Sequence, residues 1–123
     1  MARKRILLID HRPEHMRQPV LRLQLEGYEV DEASDGETGL KMLREGDYDL
    51  LLLDAELPGD PDGWDTLRML RDDPELGGAK VIIFMASKGE TGKVGLFHVD
   101  GELRRPFPIG EMLQKVRAVI GEA

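Results

Sequence analysis

Asp49-Leu50-Leu51-Leu52-Leu53-Asp54-Ala55-Glu56-Leu57-Pro58-Gly59 is the stretch whose reading decides the fold. Four consecutive leucines show no alternation, so they fit either a buried helix or a strand covered on both faces. The flanks arbitrate. A Pro-Gly pair that close behind the run stops a helix, and the spacing predicts a short buried strand followed by Asp54. Ile6-Leu7-Leu8-Ile9 and Val81-Ile82-Ile83-Phe84 have the same character, and Tyr28-Glu29-Val30 is a weaker version. Continuous apolar strands belong to parallel sheets with both faces covered.

Helical spacing fills the gaps between these runs. Glu14 to Glu26 carries Met16, Val20, Leu21, Leu23 and Leu25, with Pro13 suited to a first turn. Pro19 is the oddity. In a helix interior it costs about 3 kcal/mol, so the helix either starts late or kinks there. Glu37 to Glu45 places Leu40 and Leu43 at i, i+3, and Gly46 follows as a stop. Gly63 to Asp72 presents Trp64, Leu67, Leu70 and Met69 inward, and Ile109 to Gly121 presents Ile109, Met112, Leu113, Val116 and Ile120. All four stripes read as core. Ser87 to Asp100 holds three glycines, so a helix there is expected to be short, late or frayed, and the fifth strand is expected over Gly101 to Arg104. Strand and helix alternate to the end, which implies right-handed crossovers and an α/β, doubly wound parallel sheet.

The 123 residues fit one domain, 1–123. A hydrophobic fraction of 41% supports a packed core. With 17 basic and 24 acidic residues the net charge is −7, which disfavours direct contact with nucleic acid or an anionic membrane. The absence of cysteine excludes disulfides, thiolate zinc sites and thiol nucleophiles. No apolar run approaches the roughly 20 residues of a membrane span. The basic start is followed by too short an apolar run for a signal peptide, so a soluble, cytoplasmic protein is expected.

Ligands of open α/β sheets bind beyond the carboxyl ends of the strands. Those ends carry Asp10 and His11, Asp54 and Glu56, Met85 to Ser87, and Arg105-Pro106. Two strand-end carboxylates can hold a hard cation, and a carboxylate can act as a nucleophile that forms an acyl phosphate. Each Asp alone also reads as a cap that ends its strand.

Taken together, these residues resemble the receiver domain of two-component response regulators. The likeness is carried by Arg5 to Asp10, Pro13-Glu14, Gly27 to Val30 and Ala33-Ser34-Asp35-Gly36. It continues through Asp47 to Asp54, Leu57-Pro58-Gly59, Asp62-Gly63 and Arg105-Pro106-Phe107. The resemblance implies a flavodoxin-like (βα)5 fold with strand order 2-1-3-4-5. It implies Asp54 as phosphoacceptor and a Mg²⁺ site formed by Asp10, Asp54 and the backbone carbonyl of Glu56. It implies a histidine kinase or phosphotransfer protein as donor and a downstream protein as target, with no activity as an enzyme beyond self-phosphorylation and dephosphorylation at Asp54.

The departures mark an atypical member. The family's second acid after strand one is His11 here. Mg²⁺ prefers oxygen, whereas imidazole suits Zn²⁺, Mn²⁺ or Ni²⁺, so weak Mg²⁺ binding is expected, with simple loss of a ligand ahead of a changed metal. The family's phosphoryl-binding Thr or Ser falls at Met85, whose thioether donates no hydrogen bond, and Ser87 lies two residues further on. Arg105 stands for the family's Lys and keeps the phosphate-contacting charge. A cis Arg105–Pro106 bond is expected. The switch aromatic is Glu102. One extra residue lengthens the loop between Gly59 and Asp62. His15 and His98 read as ordinary surface or partly buried histidines, and Arg68, Arg71, Asp72 and Asp73 as a solvated helix face. Two other functions compete: a degenerate pseudo-receiver that binds proteins without phosphorylation, and, remotely, an aspartyl-phosphate phosphohydrolase. The second lacks its Asp-x-Asp signature, since Asp54-Ala55-Glu56 ends in Glu.

Overall fold

The computed structural model describes residues 3–86 and 97–123. The leucine run forms a strand, β3 (Leu50–Asp54), in the middle of a five-stranded sheet. Its companions are β1 (Arg5–Ile9), β2 (Glu29–Ala33), β4 (Val81–Ala86) and β5 (Gly101–Arg105). The order is β2-β1-β3-β4-β5 and every pair is parallel. Four helices are described: α1 (Arg17–Leu25), α2 (Gly36–Glu45), α3 (Gly63–Asp72) and α4 (Ile109–Ile120). The expected flavodoxin-like α/β architecture is therefore the one observed. The expectation of a short helix within Ser87 to Asp100 falls largely on 87–96, outside the described residues.

Register divides the core into two layers, because successive strand residues point to opposite faces. Ile6 faces Leu50 and Ile9 faces Leu53 across β1 and β3, and Leu53 faces Ile83 across β3 and β4. Ile6, Leu8, Leu50, Leu52, Ile82 and Phe84 meet Leu23 of α1 and Met112, Leu113, Val116 and Ile120 of α4. Leu7, Ile9, Leu51, Leu53, Val81, Ile83 and Met85 meet Leu40 and Leu43 of α2 and Leu67 and Leu70 of α3.

Pro19 resolves by a late start. A 3-10 turn over Pro13–Met16 precedes α1, so Pro19 falls in the first helical turn, where backbone N–H groups have no intrahelical partner. The stripe drawn for this helix needs correction. Leu23 is buried, but Leu21 and Leu25 are 47% and 73% exposed. The late start turns them away from the sheet. Met69 of α3 is also exposed rather than inward. Strand β4 runs two residues further than expected and takes Met85 and Ala86 into the sheet. Arg71 is not on a solvated face: its guanidinium donates to the carbonyls of Gly77, Ala79 and His98 and ties the loop after α3 to the segment before β5.

Two helix starts matter for the site. Asp35 caps α2 by accepting from the Thr38 amide at 2.7 Å. Asp62 and Asp65 form a reciprocal capping box at the start of α3. Gly63 follows, and a Cβ there would stand 2.4 Å from the carbonyl oxygen of Asp54. Only glycine lets α3 come this close to the end of β3.

Candidate functional site

Asp10 directly follows β1 and Asp54 ends β3, and the Ile9–Leu53 register sets the two side by side. Both are buried, at 3% and 0% exposure. Each carboxylate accepts from the backbone amide two residues on: Arg12 N–H to Asp10 Oδ1 and Glu56 N–H to Asp54 Oδ1, both at 2.8 Å. These are local Asx turns. The cap reading and the site reading thus describe the same two residues.

Arg105, the last residue of β5, reaches both acids. Its Nη1 donates to Asp54 Oδ1 at 3.3 Å and to Glu56 Oε2 at 3.2 Å, and its Nη2 donates to Asp10 Oδ2 at 3.4 Å. The guanidinium carbon lies 5.7 Å from the Phe84 ring centre, and Phe84 in turn stacks on Phe107 at 5.6 Å. The Arg105–Pro106 bond is cis, as expected, and so is Asp60–Pro61 in the lengthened loop. On the other side His11 Nδ1 lies 3.2 Å from Asp54 Oδ2 and 3.9 Å from Asp10 Oδ1. Asp54 therefore has one oxygen toward Arg105 and the other toward His11.

Burial pushes the Asp10 carboxyl above the usual carboxylate range. The hydrogen bond from the Arg12 amide opposes this, the charge of Asp54 adds to it, and Arg105 pulls back. A pocket of about 260 Å³ opens over the group, lined by Asp10, His11, Arg12, His15, Asp54, Glu56 and Arg105. Beside it runs an apolar groove of about 660 Å³ between α1 and the start of α4, sharing His15, Glu56 and Arg105.

The switch positions lie elsewhere. Met85 is buried among the α2–α3 layer and pairs with Arg104. Glu102 pairs with Ile83, and its carbonyl accepts from Lys115 Nζ of α4. Ser87 lies outside the described residues. His98 is exposed, with Nε2 3.4 Å from Asp100 Oδ1. Sequence reasoning missed two contributors, the Glu56 carboxylate that shares Arg105 and His15 at the rim. Glu56 carried a signal, since it stands two residues after Asp54 on the same loop.

A divalent cation fits the donor set on chemical grounds. Oxygens of Asp10 and Asp54 and a nitrogen of His11 all lie within 4.8 Å of one another. Two carboxylates supply the charge such an ion needs.

The sequence as a whole matches the response regulator receiver domain over residues 6–117. ResD of Bacillus subtilis, a transcriptional regulatory protein, is 32% identical over 122 residues, covering 97% of this chain and 49% of that protein. CusR of Escherichia coli K12, another, is 38% identical over 96 residues, covering 76% and 41%. The chain thus spans less than half the length of these relatives. Among solved structures, the response regulator TrrA of Thermotoga maritima in complex with Mg²⁺ and BeF superposes with a TM-score of 0.83 at 33% identity, covering 94% of this chain and 98% of that one. The same protein in complex with the histidine kinase ThkA gives a TM-score of 0.81 at 32% identity, covering 95% and 98%. Strand order, the position of the paired acids and the sequence relationship converge, and the chain belongs to the receiver domains of two-component response regulators.

Proposed function

We propose that residues 1–123 act as one receiver domain in which Asp54 accepts a phosphoryl group, and that the signal leaves through protein–protein contact. The observation that carries this is the fully buried Asp54 carboxylate at the floor of a pocket, with Arg105 on one oxygen and His11 on the other. A carboxylate so placed has little use as a surface cap alone.

In the proposed transfer, the Asp54 oxygen on the Arg105 side attacks phosphorus in line. The bond to the donor nitrogen breaks, and the donor imidazole leaves with the electron pair. Arg105 swings from Asp10 and Glu56 onto the equatorial oxygens, where its planar fork can bind two of them. Asp10, Asp54 and the Glu56 carbonyl are the residues that would hold a divalent cation, with His11 beside them, and that ion supplies further neutralisation of the phosphoryl charge. Mg²⁺ binding is expected to be weak, because one oxygen ligand of the family is an imidazole here. The donor is a phosphohistidine on a histidine kinase or phosphotransfer protein, which places the reaction in the cytoplasm. Met85 and Glu102 supply neither the hydroxyl nor the aromatic that couple phosphorylation to movement in the family, so the conformational response is expected to be small. That combination makes this an atypical receiver.

The test is amide NMR with beryllofluoride and divalent cation, with Asp54→Asn as control. Saturable shifts at Asp10, Asp54 and Arg105 that vanish in the control are expected, together with a mass gain of one phosphoryl group from acetyl phosphate. No shift and no mass gain would end the phosphoacceptor reading and leave a protein that binds its partners constitutively.

A further inference from the structure

We infer that the metal position of this pocket selects borderline divalent cations of the Co²⁺, Ni²⁺ and Zn²⁺ class over Mg²⁺, with His11 Nδ1 as a direct ligand beside Asp10 and Asp54. The inference rests on the reading above for its use in phosphoryl transfer, but its donors stand on geometry alone.

His11 does not simply vacate the position of a lost acid. Its ring is turned inward, with Nδ1 3.2 Å from Asp54 Oδ2. Two ligands about 2.1 Å from a common ion and about 90–110° apart are separated by about 3.0–3.4 Å. The His11–Asp54 pair already has that spacing. The 3.9 Å to Asp10 Oδ1 needs a closure of about half an ångström. The His11 side chain is 26% exposed, so the open side of the site faces water that can complete the coordination. Two carboxylate oxygens and one neutral imidazole nitrogen suit ions of intermediate softness. Mg²⁺ gives up water reluctantly and gains little from nitrogen. Arg105 now neutralises Asp10 at 3.4 Å, and an ion held there would leave that guanidinium free for a phosphoryl group.

Most nitrogen–oxygen sites favour these metals over Mg²⁺ to some degree, so the decisive quantity is the change on removing the imidazole. Calorimetric titration of metal-stripped protein with Co²⁺ and with Mg²⁺ compares wild type, His11→Asp and His98→Gln. The expected result is one Co²⁺ site, a fall of about tenfold or more in Co²⁺ affinity in His11→Asp, and a rise in Mg²⁺ affinity in the same variant. His98→Gln, an exposed histidine outside the pocket, is expected to change neither. An unchanged Co²⁺-to-Mg²⁺ ratio in His11→Asp would overturn the inference. Wild-type protein gives a second reading that no variant can spoil: Zn²⁺ is expected to shift the His11 Nδ1 nitrogen resonance strongly, and an unmoved Nδ1 would likewise overturn it. Beryllofluoride added with each metal keeps the two ideas apart. A metal preference that depends on His11, without any beryllofluoride response, sustains the inference and ends the phosphoacceptor reading instead.

Discussion

Arg105 sets the electrostatics of the pocket. Three carboxylates, of Asp10, Asp54 and Glu56, converge on one guanidinium that is 25% exposed. Removing one partner of a buried ion pair costs about 3–5 kcal/mol, and partial exposure reduces that. Arg105→Ala is therefore expected to lower the unfolding free energy by about 1–3 kcal/mol in urea titration without metal, with part of the loss recovered when a divalent cation is added. Tyr48 gives a second prediction. Its hydroxyl donates to Asp31 Oδ2 at 2.6 Å, and the Arg5 guanidinium lies over its ring. Burial first, and then Asp31, push the phenol from 10.0 up to about 12. The folded chain then keeps a proton that the unfolded chain loses, so the stabilisation is complete below pH 10.0 and is lost as pH rises toward about 12. Tyr48→Phe is expected to flatten the alkaline fall in melting temperature. Burial raises Tyr28 as well, so some slope should remain. At this scale Asp10 and Asp54 were legible in the sequence, because each is a polar residue after an apolar run, whereas Arg105, in the mostly polar Gly101–Arg105 strand, was legible through its place before Pro106 in the family resemblance. The inward turn of His11 and the bond from Arg105 to Glu56 were not, because they depend on side-chain directions that only neighbouring strands define.

Element boundaries show the same division. Three strands were legible as uninterrupted apolar runs, and α3 matched its expected ends because Asp62 and Gly63 at the start and the acids at the finish mark them chemically. The extension of β4 through Met85 was hidden, since its signal is pairing with Arg104 rather than anything in the run itself. In α1 five apolar residues gave a stripe too wide for the helix that forms, because the 3-10 turn shifts the phase and only nine residues remain. Leu23→Ala is accordingly expected to cost about 2–5 kcal/mol, whereas Leu25→Ala should stay within about 0.5 kcal/mol, as measured by denaturant midpoints. Gly63 tests how α3 supports the site. A methyl group there meets the backbone oxygens of Asp54 and Ala55 at 2.4 and 2.5 Å, and neither can rotate away. Gly63→Ala is expected to destabilise by about 1–3 kcal/mol and to move the amide resonances of Asp54 to Glu56, whereas Gly78→Ala, with open space around it, should do neither.

Across the whole molecule, parallel winding brings every strand's carboxyl end to one edge of the sheet, so residues 95 positions apart such as Asp10 and Arg105 meet. That topology was legible from strand–helix alternation. The strand order came from resemblance to a family, since periodicity does not rank strands within a sheet. The same winding lays the apolar groove between α1 and α4 against the mouth of the acidic pocket. Met16, Pro19, Phe107 and Ile109 line it, and the shared His15, Glu56 and Arg105 make it continuous with the pocket over Asp54. In the proposed transfer a protein donor would bring its phosphohistidine to Asp54 across this rim, and apolar contact there would supply affinity. A small donor such as acetyl phosphate enters the pocket without touching the groove. Ile109 stands at the first turn of α4, only partly buried. Ile109→Glu should therefore reduce phosphotransfer from a phosphohistidine protein by about tenfold or more, through lost apolar contact and a charge in the groove. Acetyl phosphate should label the variant at the wild-type rate. Equal losses with both donors would mean that the substitution had disturbed the pocket itself, and equal rates with both would remove the groove from the path of the partner.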